Sequence, residues 1–577
     1  MKKLLITFVL LVVSIPAVLS AQTYGADTLF IPPDAAGTIG AINTAIQGDT
    51  TTDGKDYNHH VFVLQRGSTY YLNGWLTVKA GTHIEIMGQP KPASGTDYGP
   101  ASIVEGTVTG LYYNYTIDAF GDFTMKNVWM LYATDLGTKN WTDLQFETDS
   151  LKTTGGPVGV FDDDIFDWAT GIAVTANCAH FTGIFSNCIF RNCIDPTQWW
   201  AGRAFCELNA NASVDSIAYT NCTLENMGFG DQDDYTPPAA SFFNHDTFVN
   251  IAKFAFKYYW FTNLVIANSI FVNCHFTGER YADRLGQDPN QLLYGAVVDC
   301  DTIPDTLTYN GVNAQNEATK RIFLFVNNSN FTDPMFQAFY NKYNDTVANK
   351  IRGVILGEPM MNARTLDMFT WHKLFKMKNV YDSTDPGFIV PPTNRDSIIA
   401  FLQARYVSGV NVDWSYPSSD SELSFLWPLR ENLAYTNATL LSAGTGGYPI
   451  GDLYHWFPDK YTTWKSQEAS ETQAIYNTIT SVKRVGNDVP QSYSLDQNYP
   501  NPFNPTTEIC YTVPKNGFVT LKVYNVLGQE VATLFSGVAH AGTYEASFDG
   551  SRYSSGVYFY RLEAGNVKFV KKMVLMK

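Results

Sequence analysis

The chain has 577 residues, too many for one compact core and enough for several units or one elongated body. Its formal net charge of −16 excludes a nucleic-acid partner, because phosphate binding needs concentrated Lys and Arg and no basic run occurs before residue 480. Only 16% of residues are charged while 15% are aromatic, with 43 Gly and 26 Pro, which suits a turn-rich all-β extracellular protein.

Residues 1–21 read as a secretory signal. Lys2 and Lys3 precede the apolar run Leu4–Val13, and Ser20-Ala21 offers small residues for cleavage. The run is shorter than the ~20 residues needed to span a bilayer, and no later stretch reads as a membrane span in the mature protein. From Gly37 to Asp53, Ile39, Ile42 and Ile46 fall at helical spacing and predict a short helix covering the open end of a repeat body. Short apolar strands follow around Val61–Leu64, Tyr70–Leu72, Leu76–Val78 and Ile84–Met87, punctuated by Gly67, Gly74, Gly81 and Gly88.

One pattern then recurs: apolar, any, Asn, any two, apolar, any, Asn. It stands as Phe185, Asn187, Phe190, Asn192; as Tyr219, Asn221, Leu224, Asn226; as Phe243, His245, Phe248, Asn250; and as Ile266, Asn268, Phe271, Asn273. A fifth copy reads Val326, Asn328, Phe331, Asp333, and a weaker one Met125, Asn127, Met130, Tyr132. Two consecutive repeats near 24 residues imply a coil of fixed circumference, and longer steps imply the same coil with loops. Apolar residues of such a coil must point inward, where only neighbouring coils can cover them. Asn tolerates the left-handed backbone of a sharp corner, and stacked amides can bond from coil to coil. The pattern therefore predicts Phe190, Leu224, Phe248 and Phe271 lined up rung above rung. Seven of eight cysteines lie between Cys178 and Cys300, several inside this repeat, which predicts mostly buried thiols with one or two bridges left open. No C-x-x-C pair exists to suggest zinc.

These Asn-Cys-x-Phe/Leu-x-Asn turns and the glycine-punctuated entry at 66–81 resemble the pectate-lyase-like right-handed parallel β-helix superfamily. The resemblance implies an all-β fold over 22–335, with C-terminal coils and a capping segment at 336–480. Short helices are expected at Ser397–Tyr406 and Thr462–Thr478. A polar linker follows at 481–498.

Residues 499–577 alternate in short strands separated by Gly turns, the pattern of a small Ig-like β-sandwich. Their Asn-Pro-Phe-Asn-Pro start, Val-Tyr-Asn-Val-Leu-Gly-Gln-Glu-Val, Ser-Gly-Val-Tyr-Phe-Tyr-Arg-Leu and basic-apolar final strand resemble the C-terminal sorting domain of the type IX (Por) secretion system. That resemblance implies a partner in the secretion machinery, passage through the periplasm, delivery to the outer-membrane surface or the medium, and cleavage near the linker.

Whether the middle carries chemistry stays open. Superfamily lyases need carboxylates for calcium and a basic residue to take a proton. On that reading Asp163 and Asp233 would hold calcium, and Arg280 or Lys257 would be the base. The polygalacturonase branch is improbable, since Gly-His-Gly and Arg-Ile-Lys are missing. Trp199, Trp200, Tyr259 and Trp260 could instead stack on sugar rings, or pack under loops. The expectation is an exported glycan-binding or scaffold protein with no cofactor required. The alternative is a lyase or glycoside hydrolase on an acidic polysaccharide, with calcium in the lyase case.

Overall fold

The computed structural model describes residues 25–577 except 36–37, 107–114, 140–142, 196–200, 208–211, 233–237, 259, 281–296, 299, 310, 347–350, 353–359, 417–422, 424–425, 477, 479–481, 487–489, 516, 540 and 566. The signal segment 1–21 lies outside the described residues.

The body is mostly β and is built as parallel coils, consistent with a parallel β-helix. Each full coil contributes three strands, as in Phe181–Ser186, Ile189–Arg191 and Arg203–Glu207, followed by Val214–Thr220, Thr223–Met227 and Asp231–Gln232. First strands of successive coils pair in parallel to form one face, second strands another, and third strands a separate seven-stranded sheet. The first two faces merge into one 19-stranded sheet because the long strand Ile322–Phe331 pairs with both Asn263–Ala267 and Ile270–Cys274.

Register fixes what each side chain does. Phe166, Phe190, Leu224, Phe248 and Phe271 are successive partners on the second face, each at most 1% exposed. The expected row is therefore present. A parallel row on the first face runs Met125, Phe161, Phe185, Tyr219, Phe243, Ile266, Phe325. Its rings stack at 4.9 Å (Phe161–Phe185), 4.6 Å (Phe185–Tyr219) and 5.2 Å (Tyr219–Phe243). Each buried ring contributes roughly 1.5–3 kcal/mol by leaving water, and each ring pair about 0.5–1.5 kcal/mol more.

The corner asparagines adopt the left-handed backbone expected of them. Asn127, Asn187, Asn221, Asn268 and Asn327 have φ between 51° and 57°, and Asp163 and His245 take the same corner at 59° and 58°. Their amides form a ladder: Asn379 Nδ2 donates to Asn327 Oδ1 at 2.8 Å, Asn327 to Asn268 at 2.9 Å, and Asn268 to Asn244 at 2.7 Å. A second ladder links Asn273 to Asn250 at 2.9 Å and Asn250 to Asn226 at 3.1 Å. The fifth repeat sits one residue earlier than its sequence pattern suggests. Phe325, not Val326, enters the interior row, and Asn327, not Asn328, takes the corner.

Helix Ala41–Gly48 buries Ile42 and Ile46 against the first coil, as their spacing predicts. At the other end, helices Pro334–Thr346 and Arg395–Gln403 pack Phe336, Phe339 and Phe401 beside Phe276. The expected helix at 462–478 is two helices, Pro458–Lys465 and Glu468–Tyr476, the first opening with Pro at its N-terminus.

The segment after the last coil does more than cover an end, because it returns along both ladders. Asn394 donates to Asn226 at 3.0 Å, the Tyr416 amide to Asn192 Oδ1 at 2.8 Å, and Trp427 Nε1 to Asp97 at 2.9 Å near the first coils. It then follows the other corner: the Thr445 amide donates to Asn268 Oδ1 at 2.9 Å and the Leu453 amide to Asn221 Oδ1 at 3.1 Å. The side-chain oxygens of Asn192 and Asn221 find their donors in this way. All eight cysteines are free thiols and seven are buried.

Two four-stranded antiparallel sheets at the C-terminus fit a β-sandwich around Ile509, Tyr511, Leu521, Phe535, Tyr544 and Tyr560. The stretch 481–498, expected to be linker, supplies two of its strands, Val482–Gly486 and Ser494–Leu495. Tyr476 joins sandwich to body, with ring centroids 6.2 Å from Phe242 and 5.3 Å from Phe535.

Candidate functional site

Asp163 occupies a coil corner. Phe161 pairs with Phe185 and Ile165 with Ile189, so Asp163 is the counterpart of Asn187, and its backbone amide donates to Ser186 O at 3.0 Å. Helix Leu453–Trp456 of the return segment lies over it. The Asp452 side chain caps that helix, accepting from the His455 amide at 3.1 Å, and also holds the imidazole at 2.6 Å. Burial pushes the Asp163 carboxyl up to about 6, against the opposing pull of His455 and of a hydrogen bond from Tyr454. Burial works against the His455 charge, but the Asp452 carboxylate overcomes it and raises the imidazole pKa. The corner thus places a largely buried carboxyl, raised to about 6, within electrostatic reach of a carboxylate-held imidazole.

Of the other sequence candidates, the structure describes the backbone of Lys257 and Arg280 and the residue Trp260. Asp233 lies outside the described residues. The strand preceding it, Asp231–Gln232, belongs to the third sheet, two coils beyond the coil of Asp163. Lys257 ends the strand Phe256–Lys257 of that sheet, with its backbone opposite Gln232. Arg280 lies in a short antiparallel pair, Glu279–Arg280 with Ile351–Arg352. Trp199, Trp200 and Tyr259 also lie outside the described residues, and Trp260 is half-buried. Among the described residues no group of three or more His, Cys, Asp or Glu could hold a metal ion.

The third face carries an arrangement the sequence reading missed. Ile117, Leu144, Val174 and Phe205 point inward in register, so Asp118, Gln145, Thr175 and Cys206 form the outward row between them. Strands in such a row repeat at about 4.8 Å. Glu147 and Asn177 extend the row at the strand ends, where Glu147 Oε1 accepts from Gln145 Nε2 and from Asn177 Nδ2, both at 2.8 Å. Burial, then the neighbouring Glu147 carboxylate, pushes Asp118 up to about 6, and its Oδ1 has no hydrogen-bond partner among the described residues. Asp118, Glu147 and Asn177 remain partly exposed. Alternation in Tyr-Thr-Ile-Asp-Ala and Asp-Leu-Gln-Phe was the available signal, but strands this short show it faintly. In sequence, the aromatic clusters adjoin strands of this sheet: 112–113 precede Tyr115–Ala119, 199–200 precede Arg203–Glu207, and 259–260 follow Phe256–Lys257.

Among known proteins, neither a curated sequence nor a solved structure matches the chain. Residues 497–576 match the secretion system C-terminal sorting domain. The sandwich is that domain, and it marks the chain as a secreted or cell-surface protein exported through the type IX system and in contact with its machinery.

Proposed function

We propose that the exported body is a right-handed, pectate-lyase-like β-helix that binds an extracellular glycan along its third face. The observation that carries this reading is the partly exposed row Asp118, Glu147 and Asn177, one rung apart on one sheet. Carboxylates and amides at rung spacing suit a line of sugar hydroxyls. The chain itself covers part of the other two faces: the sandwich and helix Glu468–Tyr476 pack on Phe242, Val265 and Leu324 of the first, and the return segment runs along the corners. On this reading the protein is a surface binder or scaffold that passes through the periplasm after cleavage of its signal.

A second reading has its own observation. Asp118, titrating near 6 beside Glu147, is a carboxyl pair of the kind that general acid–base cleavage of a polysaccharide requires. The experiment that separates the two incubates the exported protein with acidic and neutral glycans, with and without calcium. Saturable binding without new reducing ends or unsaturated product, weakened at least tenfold in Glu147→Ala, supports the binder. Turnover abolished in Asp118→Asn supports the enzyme, and calcium-dependent turnover lost in Asp163→Ala would support Asp163 as a calcium ligand. No binding to any glycan removes both.

A further inference from the structure

Four charged side chains from three coils and the return segment meet under cover on the second face. Asp167, Arg191 and Glu225 are successive partners in register, and Glu431 reaches them from the return segment. Their exposures are 1%, 6%, 0% and 5%. Arg191 faces Asp167 Oδ2 at 3.2 Å through Nε and Glu431 Oε1 at 3.2 Å through Nη1, and donates to the Tyr416 carbonyl at 3.2 Å through Nη2. Its charge is therefore used by two carboxylates. Neither oxygen of Glu225 accepts a hydrogen bond from a donor among the described residues, and Glu431 Oε2 is equally unpartnered.

Three carboxylates around one guanidinium leave two negative charges too many for a buried site. A proton held between the facing carboxyl groups removes one and gives their empty oxygens a hydrogen bond. We propose that Glu225 and Glu431 share one proton, and that this proton fastens the return segment to the coil stack so that the fastening loosens as pH rises.

The charged and titratable groups around Glu225 and Glu431 are Asp167, Arg191, Tyr416 and Arg430, with the buried Cys193 thiol beside Asp167. Asp167 and Glu431 both act on Glu225 in the direction of holding a proton, Arg191 acts against it, and burial is the largest influence, keeping Glu225 well above the usual carboxylate range. Asp167 itself is pushed up to about 6 by burial, against Arg191 and its Asn192 bond. Tyr416 lies beside Glu431 and Glu225, with Arg430 nearby, and remains a neutral phenol. A carboxyl whose native pKa exceeds its unfolded value contributes stability that is complete at acid pH and lost as pH rises through the native value.

Hydrogen exchange of the peptide 426–435 in the full-length protein, corrected for intrinsic rates at pH 6 and pH 9, tests this. The native protein is expected to lose about tenfold in protection, the effect of one pKa unit. Glu225→Gln, which keeps the shape and a permanent proton, should lose less than about twofold by the same conversion. Should that variant not fold, Glu431→Gln is read in the same way. An equal loss in native protein and variant, or no loss in the native protein, overturns the proposal.

Discussion

Replacing Asn268 tests the ladder most sharply, because its amide and its backbone can be changed separately. Asn268 is fully buried with φ of 51°. Its Oδ1 accepts from Asn327 Nδ2 at 2.9 Å and from the Thr445 amide at 2.9 Å, while Nδ2 donates to Asn244 at 2.7 Å. Asn268→Ala removes these three bonds and a fourth from Thr445 Oγ1 at 3.1 Å, and forces a Cβ residue without a compensating side chain into the left-handed region. Left-handed backbone costs roughly 1–2 kcal/mol. Three donors lose their acceptor, two of them N–H groups; at about 1–3 kcal/mol for each N–H group left unsatisfied, the ladder loss alone is about 2–6 kcal/mol. Asn268→Gly keeps the ladder loss but removes the backbone strain, so it should be less destabilising than the Ala variant by about 1 kcal/mol. Urea unfolding of the full chain, followed by tryptophan fluorescence, gives both values from midpoint and slope. If both variants lie within about 0.5 kcal/mol of the native protein, as ordinary surface changes do, the ladder does not hold the coils and the reasoning fails.

Phe190→Ala empties a fully buried ring position between Phe166 and Leu224 and should cost about 3–5 kcal/mol in the same unfolding assay. His372 is buried beside Arg321, and burial followed by that charge pushes its imidazole down to about 4. The unfolded chain takes up this proton near 6.5 and the native protein only near 4, so stability should fall as pH drops between those values. His372→Gln should flatten that part of the profile of unfolding midpoint against pH. Tyr476→Ala removes the ring between Phe242 and Phe535, and limited proteolysis should then cut between the body and the sandwich faster than in the native protein. Deleting residues 497–577 should leave the protein inside the outer membrane, measured by cell fractionation; undiminished surface display of the truncated chain would refute the export assignment.

The corner positions were readable because two separate demands, an inward apolar residue and a left-handed turn, repeat at nearly fixed spacing. The slip at the fifth repeat shows where this fails. Val326-Asn327-Asn328-Ser329-Asn330 offers three asparagines, and only pairing with Ile266 and Ala267 decides which one turns the corner. The return segment was not readable as such, since its bonds to Asn192, Asn221 and Asn268 cross more than 170 residues and follow no period. Neither were the chemically interesting groups. Asp118, Glu225 and Glu431 are ordinary acidic residues in sequence, and only burial beside another carboxylate makes them unusual. Asp163 was singled out for calcium within an Asp-Asp-Asp run, while its corner backbone and its cover by Tyr454 and His455 depend on tertiary structure.

Hydrogen exchange of the exported protein with and without a saturating glycan tests the central claim most directly. New protection is predicted in strands Tyr115–Ala119, Asp143–Phe146 and Ile172–Ala176 and in their connections, with little change along the return segment. Protection confined to residues 385–398 or to the sandwich, with the third face unchanged, would contradict it.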